Sequence, residues 1–357
     1  MARAELVVDR LVATGFIRPS VLWRGLQHSR PSFSHWGVGW LIGLSGLLVE
    51  PLAWLQSLLY AQRLRRVQLP DDPIVIIGHW RSGTTYLHQL LASDPAVATA
   101  RNTLTMAPQV ALLLQPWIAP LMKAWMTRVR PIDAVPWGPD DPQEDELGLA
   151  RLTFDTNMGG MAFPRDYLAN FRRHVLETSK AYERQWLTFC RLTWLHDGAG
   201  KSHWLIKNSV HTARVRLVLK HFPRARFVLL RRSPVDSIRS LVQVKQRLGA
   251  LVGMQPLPDP PTQVEETATA HRELLEAFEA SRHLIPAQQL LELDYDDLIS
   301  QPLQAVEGIY TRFGLTSWPV AEAPIKARID RARSYTADPV QLPPLAERRL
   351  QELMKAS

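Results

Sequence analysis

The chain has 357 residues, of which 46% are hydrophobic and 21% are charged, a composition that is ordinary for a soluble globular protein and excludes intrinsic disorder and collagen-like folds. Basic residues outnumber acidic ones by 42 to 34, and 34 of the 42 are arginine, which gives a formal net charge of +8. This excess of arginine favours an anionic partner and suits phosphate or sulfate groups, without choosing among a nucleotide, a membrane and a nucleic acid.

The first 69 residues form an apolar lead-in. Residues 1–30 carry charges throughout and lack the apolar core of a secretory signal. Residues 36–60 contain a single charge, Glu50, followed at once by Pro51. A spanning helix needs about 20 continuous apolar residues, and Glu-Pro near the midpoint would place a carboxylate and a helix break at mid-bilayer. We therefore predict two apolar helices or a re-entrant hairpin resting on the membrane or on the core. The alternative is a true membrane-spanning helix. Three arginines follow this stretch: Arg63, Arg65 and Arg66.

From residue 70 onward, strands alternate with helices. The short β-branched run Ile74–Ile77 is typical of a strand buried on both faces, and a helical pattern follows it. The same order recurs with strands at residues 204–206, 226–230 and 290–293 and with helices that begin near His211, Val235 and Gln304. This alternation predicts a three-layer α/β fold with a central parallel sheet and helices on both faces. We predict that residues 70–357 form this domain, with an insertion at about 101–200, and that residues 1–69 form an apolar helical N-terminal extension.

The loop after the first strand reads Gly78-His79-Trp80-Arg81-Ser82-Gly83-Thr84-Thr85. Its position and spacing match a phosphate loop, in which backbone N–H groups and a helix N-terminus enclose an anion, so the fold is predicted to be P-loop-like. In the nucleoside triphosphatase version, a lysine follows the second glycine. Thr84 stands in that place here, and the cation lies inside the loop as Arg81. This indicates a bound group with no γ-phosphate and no need of a metal. The alternative is a turn that only caps a helix.

A second strand-to-helix junction spans residues 227–240. Arg232 lies where the strand ends, Pro234 suits a first helical turn, and Ser240 follows two turns later. An arginine and a hydroxyl so placed can hold a second phosphate beside the first loop. The alternative is a helix start with ordinary surface arginines.

The two motifs together resemble the sulfotransferase superfamily that uses 3′-phosphoadenosine 5′-phosphosulfate (PAPS), most closely a bacterial-type branch. The likeness covers roughly residues 70–315 and includes the segments 142–146, 205–211 and 293–298. The resemblance implies PAPS as co-substrate and no metal, and the single cysteine, Cys190, which we expect to be buried, offers no thiolate metal site. The residues that the resemblance assigns to the 5′-phosphosulfate are Arg81, Ser82, Gly83, Thr84 and Thr85, and those that it assigns to the 3′-phosphate are Arg232 and Ser240. The chain departs from the soluble hormone- and phenol-sulfating branch, which has lysine in place of Arg81 and its catalytic histidine in place of Ser209.

Sulfuryl transfer to a hydroxyl is an in-line displacement. It needs a base for the acceptor proton and cations for the charge on the leaving oxygen, and Arg81 and Lys207 are the predicted cations. One candidate for the base is the carboxylate cluster Glu144–Glu146, in which like charges raise one pKa, and the other is His211, which titrates near neutrality. Their alternative roles are a helix-dipole interaction for the cluster and helix capping or support of the site for His211. We favour Glu144, and the choice among Glu144, Glu146 and His211 stays open.

Residues 104–126 form a second apolar stretch, with Lys123 as its only charge, between the phosphate loop and the carboxylates. It indicates either two core helices of an insertion or a surface for a hydrophobic, lipid-like hydroxyl acceptor. Together with residues 36–60, it favours an amphiphilic acceptor presented at a membrane surface, with no nucleic acid as partner. We therefore predict a peripheral or monotopic protein at the inner membrane face, with its α/β domain in the cytoplasm, where PAPS is made.

Two other functions share part of these features. A P-loop nucleotide kinase or nucleoside triphosphatase would use the same loop, but the lysine that it needs is missing. A non-catalytic, membrane-associated nucleotide-binding protein would keep the loop and the apolar segments. Variants of Glu144 or Lys207 that lose more than binding would distinguish an enzyme from such a module.

Overall fold

The computed structural model of the protein describes residues 9–10, 13–125, 137–333 and 340–355. Its strands are β1 Ile74–Ile77, β2 Val97–Thr99, β3 His203–Lys207, β4 Arg226–Arg231 and β5 Leu290–Asp294. They form one sheet in the order β2-β3-β1-β4-β5, and every pair of neighbours is parallel. The predicted α/β class with a central parallel sheet is confirmed, and four of these strands lie where the sequence predicts them.

Helices cover both faces of the sheet. Those before β3 are α1 Pro19–His28, α2 Trp36–Arg66, α3 Thr84–Leu91, α4 Asn102–Thr105, α5 Gln115–Trp125, α6 Asp145–Leu152, α7 Met158–Ala162, α8 Tyr167–Phe171 and α9 Lys180–Asp197. Those after β3 are α10 Val215–His221, α11 Pro234–Val252, α12 Pro260–Arg282, α13 Tyr295–Ser300, α14 Pro302–Phe313, α15 Trp318–Ala332 and α16 Pro344–Lys355. Short 3₁₀ turns lie at Phe33–His35, Pro164–Asp166, Ser209–Ala213 and Ala287–Gln289, and a π turn lies at Arg172–Leu176.

Strand β1 shows that both faces of the sheet are buried. All four of its residues are buried, and successive side chains of a strand point to opposite faces. Val75 and Ile77 therefore belong to one hydrophobic cluster, which includes residues of α2, α9 and α10. Ile74 and Ile76 belong to a second cluster, built from α3, α14 and α15. Cys190 is buried in the first cluster, as predicted.

Helix α2 differs from the prediction. The expected pair of helices or hairpin is wrong, because one helix runs unbroken through Glu50 and Pro51. Pro51 lies on the exposed side, where its missing N–H removes one main-chain hydrogen bond. The Glu50 carboxylate forms an ion pair with Arg18, which precedes α1. Packing of the opposite side of the helix against the protein offsets the loss at Pro51.

Side-chain hydrogen bonds hold α2 along the protein. The buried Gln56 side chain donates to the Pro108 carbonyl at 2.9 Å and accepts from the Leu112 amide at 2.8 Å. The Tyr60 hydroxyl donates to the Leu112 carbonyl at 3.0 Å. The helix therefore lies on the rest of the chain over much of its length. The predicted division at residue 70 into an extension and a domain stays a prediction.

The outer side of α2 is unusually apolar. With the turn before it, the helical segment spans Phe33–Arg66, and it is long and apolar enough to cross a membrane by length and composition, with a mean hydropathy of 1.6 over 18 of its residues. We call the exposed apolar side chains of this region the apolar face. Its members are Trp23, Phe33, Trp36, Trp40, Leu44, Leu47, Leu48, Leu52, Trp54, Leu55, Leu58, Leu59, Trp117 and Leu121.

The second apolar stretch divides between core and surface. Its first half, from Leu104 to Leu112, is buried in the cluster that also contains Val75. Its second half is α5, in which Ile118 and Met122 are buried while Trp117 and Leu121 join the apolar face. Met126, the last residue of the predicted stretch, lies outside the described residues.

Candidate active site

The carboxyl ends of three neighbouring strands meet at one edge of the sheet. β1 lies at the centre, with β3 on one side and β4 on the other. The register aligns Ile76 with Lys207 on one side and Ile77 with Leu229 on the other, so the segments after these strands begin side by side. Since the chain leaves β1 toward β2 on one side and later crosses to β4 on the other, this edge is the switch point where parallel sheets bind ligands.

The loop between β1 and α3 depends on backbone conformations that favour glycine. Gly78 and Gly83 have φ values of 135° and 91°. A Cβ on Gly78 would lie 2.5 Å from the Leu230 carbonyl oxygen, and one on Gly83 would lie 2.6 Å from the ring of Tyr295. Arg81 has a φ of 68°, a conformation that L side chains rarely adopt and that clusters at functional sites.

Hydrogen bonds from its neighbours fix this loop. The Gly78 amide donates to Thr212 Oγ1 at 2.8 Å, and Ser82 Oγ donates to the His79 carbonyl at 2.7 Å. α3 then begins at Thr84, so its first N–H groups, which have no partner inside the helix, open at the same edge. Such an arrangement of a glycine-containing loop and a helix N-terminus can bind an anion.

The second motif contacts the first directly. Arg232 donates from Nη1 to the Arg81 carbonyl at 2.8 Å, and its guanidinium lies 4.2 Å from the centre of the Tyr295 ring. Arg81 donates from Nε to Ser240 Oγ at 2.9 Å. The structure thus brings together the residues that the sequence assigns to two separate phosphate groups.

Glu144 and Lys207 form an ion pair at the same edge. Lys207 is the last residue of β3, and Glu144 directly precedes α6. The Glu144 carboxylate also accepts from the Ser209 amide at 3.1 Å. The Lys207 side chain is 4% exposed and that of Glu144 is 16% exposed, so the carboxylate is the more accessible partner.

The other two carboxylates of the cluster lie deeper. Glu146 accepts from Asn208 Nδ2 at 3.0 Å and from the Asn157 amide, and burial raises the pKa of its carboxyl to about 7. Burial, and then the charges of Glu144 and Glu146, hold the pKa of Asp145 well above its usual range. Glu146 therefore ties α6 to the segment after β3, whereas Glu144 reaches the edge of the sheet.

His211 lies in the core rather than in the cleft. It is fully buried, its ring centre is 5.0 Å from that of Trp186, and neither ring nitrogen has a hydrogen-bond partner among the described residues. Burial, and then the charge of Arg214, lower its pKa to about 3. This placement disfavours His211 as a proton acceptor and leaves Glu144 as the candidate with access to a substrate.

Two residues of this edge received no role from the sequence. Thr212 fixes the start of the phosphate loop, and Tyr295 lies against both Gly83 and Arg232. Tyr295 directly follows β5, and that position at the carboxyl end of a parallel strand is the signal that could have identified it. Among the residues that the structure describes, no group of three or more histidine, cysteine, aspartate and glutamate side chains could hold a metal ion.

The sequence matches the model of the sulfotransferase family over residues 73–319, and the chain belongs to that family. It is therefore a sulfotransferase enzyme, as the motifs predict. It is 25% identical over 311 residues to the omega-hydroxy-beta-dihydromenaquinone-9 sulfotransferase Stf3 of Mycobacterium tuberculosis, and equally to that of Mycobacterium bovis. These alignments cover 85% of this chain and 77% of each relative.

Two solved structures share the fold. Sulfotransferase STF9 from Mycobacterium avium superposes with a TM-score of 0.65 at 16% identity and covers 94% of both chains. Sulfotransferase STF1 from Mycobacterium tuberculosis superposes with a TM-score of 0.63 at 18% identity and covers 93% of this chain and 90% of its own. At these identities the likeness is one of fold.

Proposed function

We propose that the protein transfers the sulfuryl group of PAPS to the hydroxyl of a hydrophobic, lipid-like alcohol at a membrane surface. The observation that carries this proposal is the meeting, at one sheet edge, of the Arg81–Ser240–Arg232 contacts with the Glu144–Lys207 ion pair. The first set suits a nucleotide with two separate anionic ends, and the second suits proton removal next to a cation.

The donor fits the loop by charge and by backbone shape. Arg81 and the amides of the loop and of the first turn of α3, from Ser82 to Thr85, would hold the 5′-phosphosulfate. Gly78 and Gly83 let the backbone take conformations that a Cβ would prevent. Arg232 and Ser240 would hold the 3′-phosphate, since both already contact Arg81. When bound, PAPS supplies the activated sulfuryl group and an adenosine 3′,5′-bisphosphate leaving group.

The side chains divide the chemistry between them. Glu144 accepts the proton of the acceptor hydroxyl while the bond from that oxygen to sulfur forms and the bond from sulfur to the bridging phosphate oxygen breaks. Lys207 and Arg81 stabilise the negative charge on the oxygen that departs with the nucleotide. The products are a sulfate ester and adenosine 3′,5′-bisphosphate, and no metal takes part.

The acceptor class is supported by the relatives and by the surface. The names of the curated relatives specify an omega-hydroxy-beta-dihydromenaquinone-9 as acceptor. The apolar face exposes fourteen large apolar side chains, and α2 ends in Arg63, Arg65 and Arg66, which suit anionic lipid headgroups. Because the opposite side of α2 lies on the protein, we place the helix along the inner membrane face rather than across the bilayer, with the α/β domain in the cytoplasm.

Isothermal titration tests the nucleotide assignment directly. Adenosine 3′,5′-bisphosphate should bind much more tightly than AMP and without a divalent metal, because only the former has a 3′-phosphate for Arg232 and Ser240. Equal affinities for the two nucleotides, or tighter binding of ATP with Mg²⁺, would contradict the proposal.

A further inference from the structure

An apolar pocket of about 60 Å³ lies between the N-terminal helices and α6. Leu22 and Gly25 of α1 and Ile42 of α2 form one side, and Leu147 of α6, with Phe154 and Met254, forms the other. Because most of the side chains that line the pocket are apolar, a charged or strongly polar ligand would find few polar contacts there.

Residues that line the pocket are close in sequence to both surfaces on which the proposed function depends. α6 starts directly after Glu144, so its lining residue Leu147 and the turn after it lie about 5–10 Å along the helix from the proposed base. On the opposite side, Leu22 precedes Trp23, a member of the apolar face that is 65% exposed. A chain that passes from the apolar face to Glu144 would therefore run beside this pocket.

Its size restricts what it can hold. Sites for whole ligands usually measure about 300–1,000 Å³, whereas this pocket has room for about two water-sized groups. A ring system does not fit, but a few methylene groups or one methyl branch do. Two glycines let the backbone approach the Phe154 ring closely. A Cβ on Gly25 would lie 2.8 Å from this ring, and one on Gly159 would lie 2.9 Å from it.

We propose that this pocket binds a hydrocarbon segment of the acceptor alcohol near its hydroxyl end, while the rest of the chain stays on the apolar face or in the membrane. The pocket then sets the preference for acceptor length and branching. This inference rests on the proposed function, because it concerns the acceptor of that reaction.

α1 offers a matched pair of positions for a test. Leu22 lines the pocket, whereas Leu26, one turn later, is also half-buried and packs in the same hydrophobic cluster without lining it. Leu22→Trp fills the pocket, Leu22→Ala enlarges it, and Leu26→Trp and Leu26→Ala are the controls. If the tryptophan variants fold poorly, the alanine pair still separates the two positions.

The first measurement is binding, independent of turnover. A long-chain primary alcohol with a diazirine near its hydroxyl end is photolysed with the full-length protein in vesicles, and labelled peptides are mapped by mass spectrometry. We expect label on the peptides that contain Met158 and Met254, which line the pocket. Leu22→Trp should weaken this labelling about tenfold, the effect of excluding two buried methylene groups, and Leu26→Trp should not. Label elsewhere, or equal labelling of the two variants, would overturn the inference.

The second measurement is the KM for a series of alcohols with PAPS. Leu22→Trp should raise the KM for long-chain alcohols about tenfold and change that for butanol little, whereas Leu22→Ala should favour branched chains. Identical chain-length profiles for the Leu22 and Leu26 variants would contradict the pocket's role. Pocket labelling in a wild-type protein that forms no sulfate ester would support the pocket and contradict the proposed function.

Discussion

Two regions of the protein differ in their chemistry: the sheet edge that carries the loop after β1 is polar, and the apolar face is hydrophobic. At the edge, the buried side chains of Ser240 and Lys207 are bonded to the half-buried side chains of Arg81 and Glu144, respectively. On the apolar face, side chains such as Leu48 and Leu58 are 80% and 76% exposed. The edge is held in shape by its own contacts and can receive a ligand with little rearrangement. Within the part of the chain that the structure describes, the outer side chains of the face have no such internal partner, so the face depends on what covers it.

The largest expected effect is on turnover. Glu144→Gln removes the proposed proton acceptor but keeps the size of the side chain, so turnover should fall by about 10²–10⁴-fold with affinity for adenosine 3′,5′-bisphosphate unchanged. Steady-state kinetics and titration measure the two quantities. The control is His211→Phe, which should keep turnover close to that of the wild type because His211 lies in the core. An active Glu144→Gln beside an inactive His211→Phe would reverse the two roles.

The next effect concerns the second phosphate. Arg232→Ala should remove most of the preference for adenosine 3′,5′-bisphosphate over AMP, a loss of about 1.5–3 kcal/mol for a charge-assisted contact, or about 10–150-fold in affinity. Arg231→Ala is the matched control, since the neighbouring Arg231 forms ion pairs with Glu279 and Glu292. If both variants lose the preference equally, the effect comes from general charge at the edge rather than from Arg232.

The dependence of stability on pH tests whether His211 lies in the core. Burial holds His211 neutral in the folded protein, with a pKa of about 3, whereas the unfolded chain binds a proton below about pH 6.5. Stability is therefore lost as pH falls, by about 1.4 kcal/mol per pH unit between those values. Urea unfolding at pH 6.5 and pH 5 should show the wild type losing about 2 kcal/mol more than His211→Phe. Equal losses would place His211 in contact with solvent.

The smallest effect tests the apolar face. Arg66→Gln should weaken binding to anionic vesicles about fivefold, because it removes one exposed charge at the end of α2. Arg216→Gln, an exposed arginine on α10, is the control and should bind as the wild type does. The difference should vanish on zwitterionic vesicles in a co-sedimentation assay. Equal binding of the two variants to anionic vesicles would remove the orientation proposed for α2.

The same two regions differ in how far the sequence predicts them. The phosphate loop is specified locally: a β-branched strand, two glycines and an apolar helix within residues 74–91 are enough to place it. The sequence did not predict β2, because its three residues, Val97–Thr99, are too few to show an alternation of polar and apolar side chains. The sequence did not predict that α2 is one continuous helix, because the contacts that stabilise it join residues far apart in sequence. These contacts run from Arg18 to Glu50 and from Gln56 to Pro108.

The candidate base shows the same limit. Glu144 and Lys207 are 63 positions apart, and no spacing rule predicts their pairing. The family likeness includes the two segments that contain these residues, and the fold brings them to one edge. Glu146 accepts a hydrogen bond from Asn208, and His211 is buried in the core. Both facts depend on the packing and do not follow from the sequence.

The most direct test of the central claim is product formation by the wild-type protein on anionic liposomes that contain a long-chain primary alcohol. With PAPS and a chelator present, mass spectrometry should detect the sulfate ester of the alcohol and an equal amount of adenosine 3′,5′-bisphosphate. A protein that forms no ester from PAPS, or that ignores the liposomes and sulfates only small polar alcohols, would contradict the account.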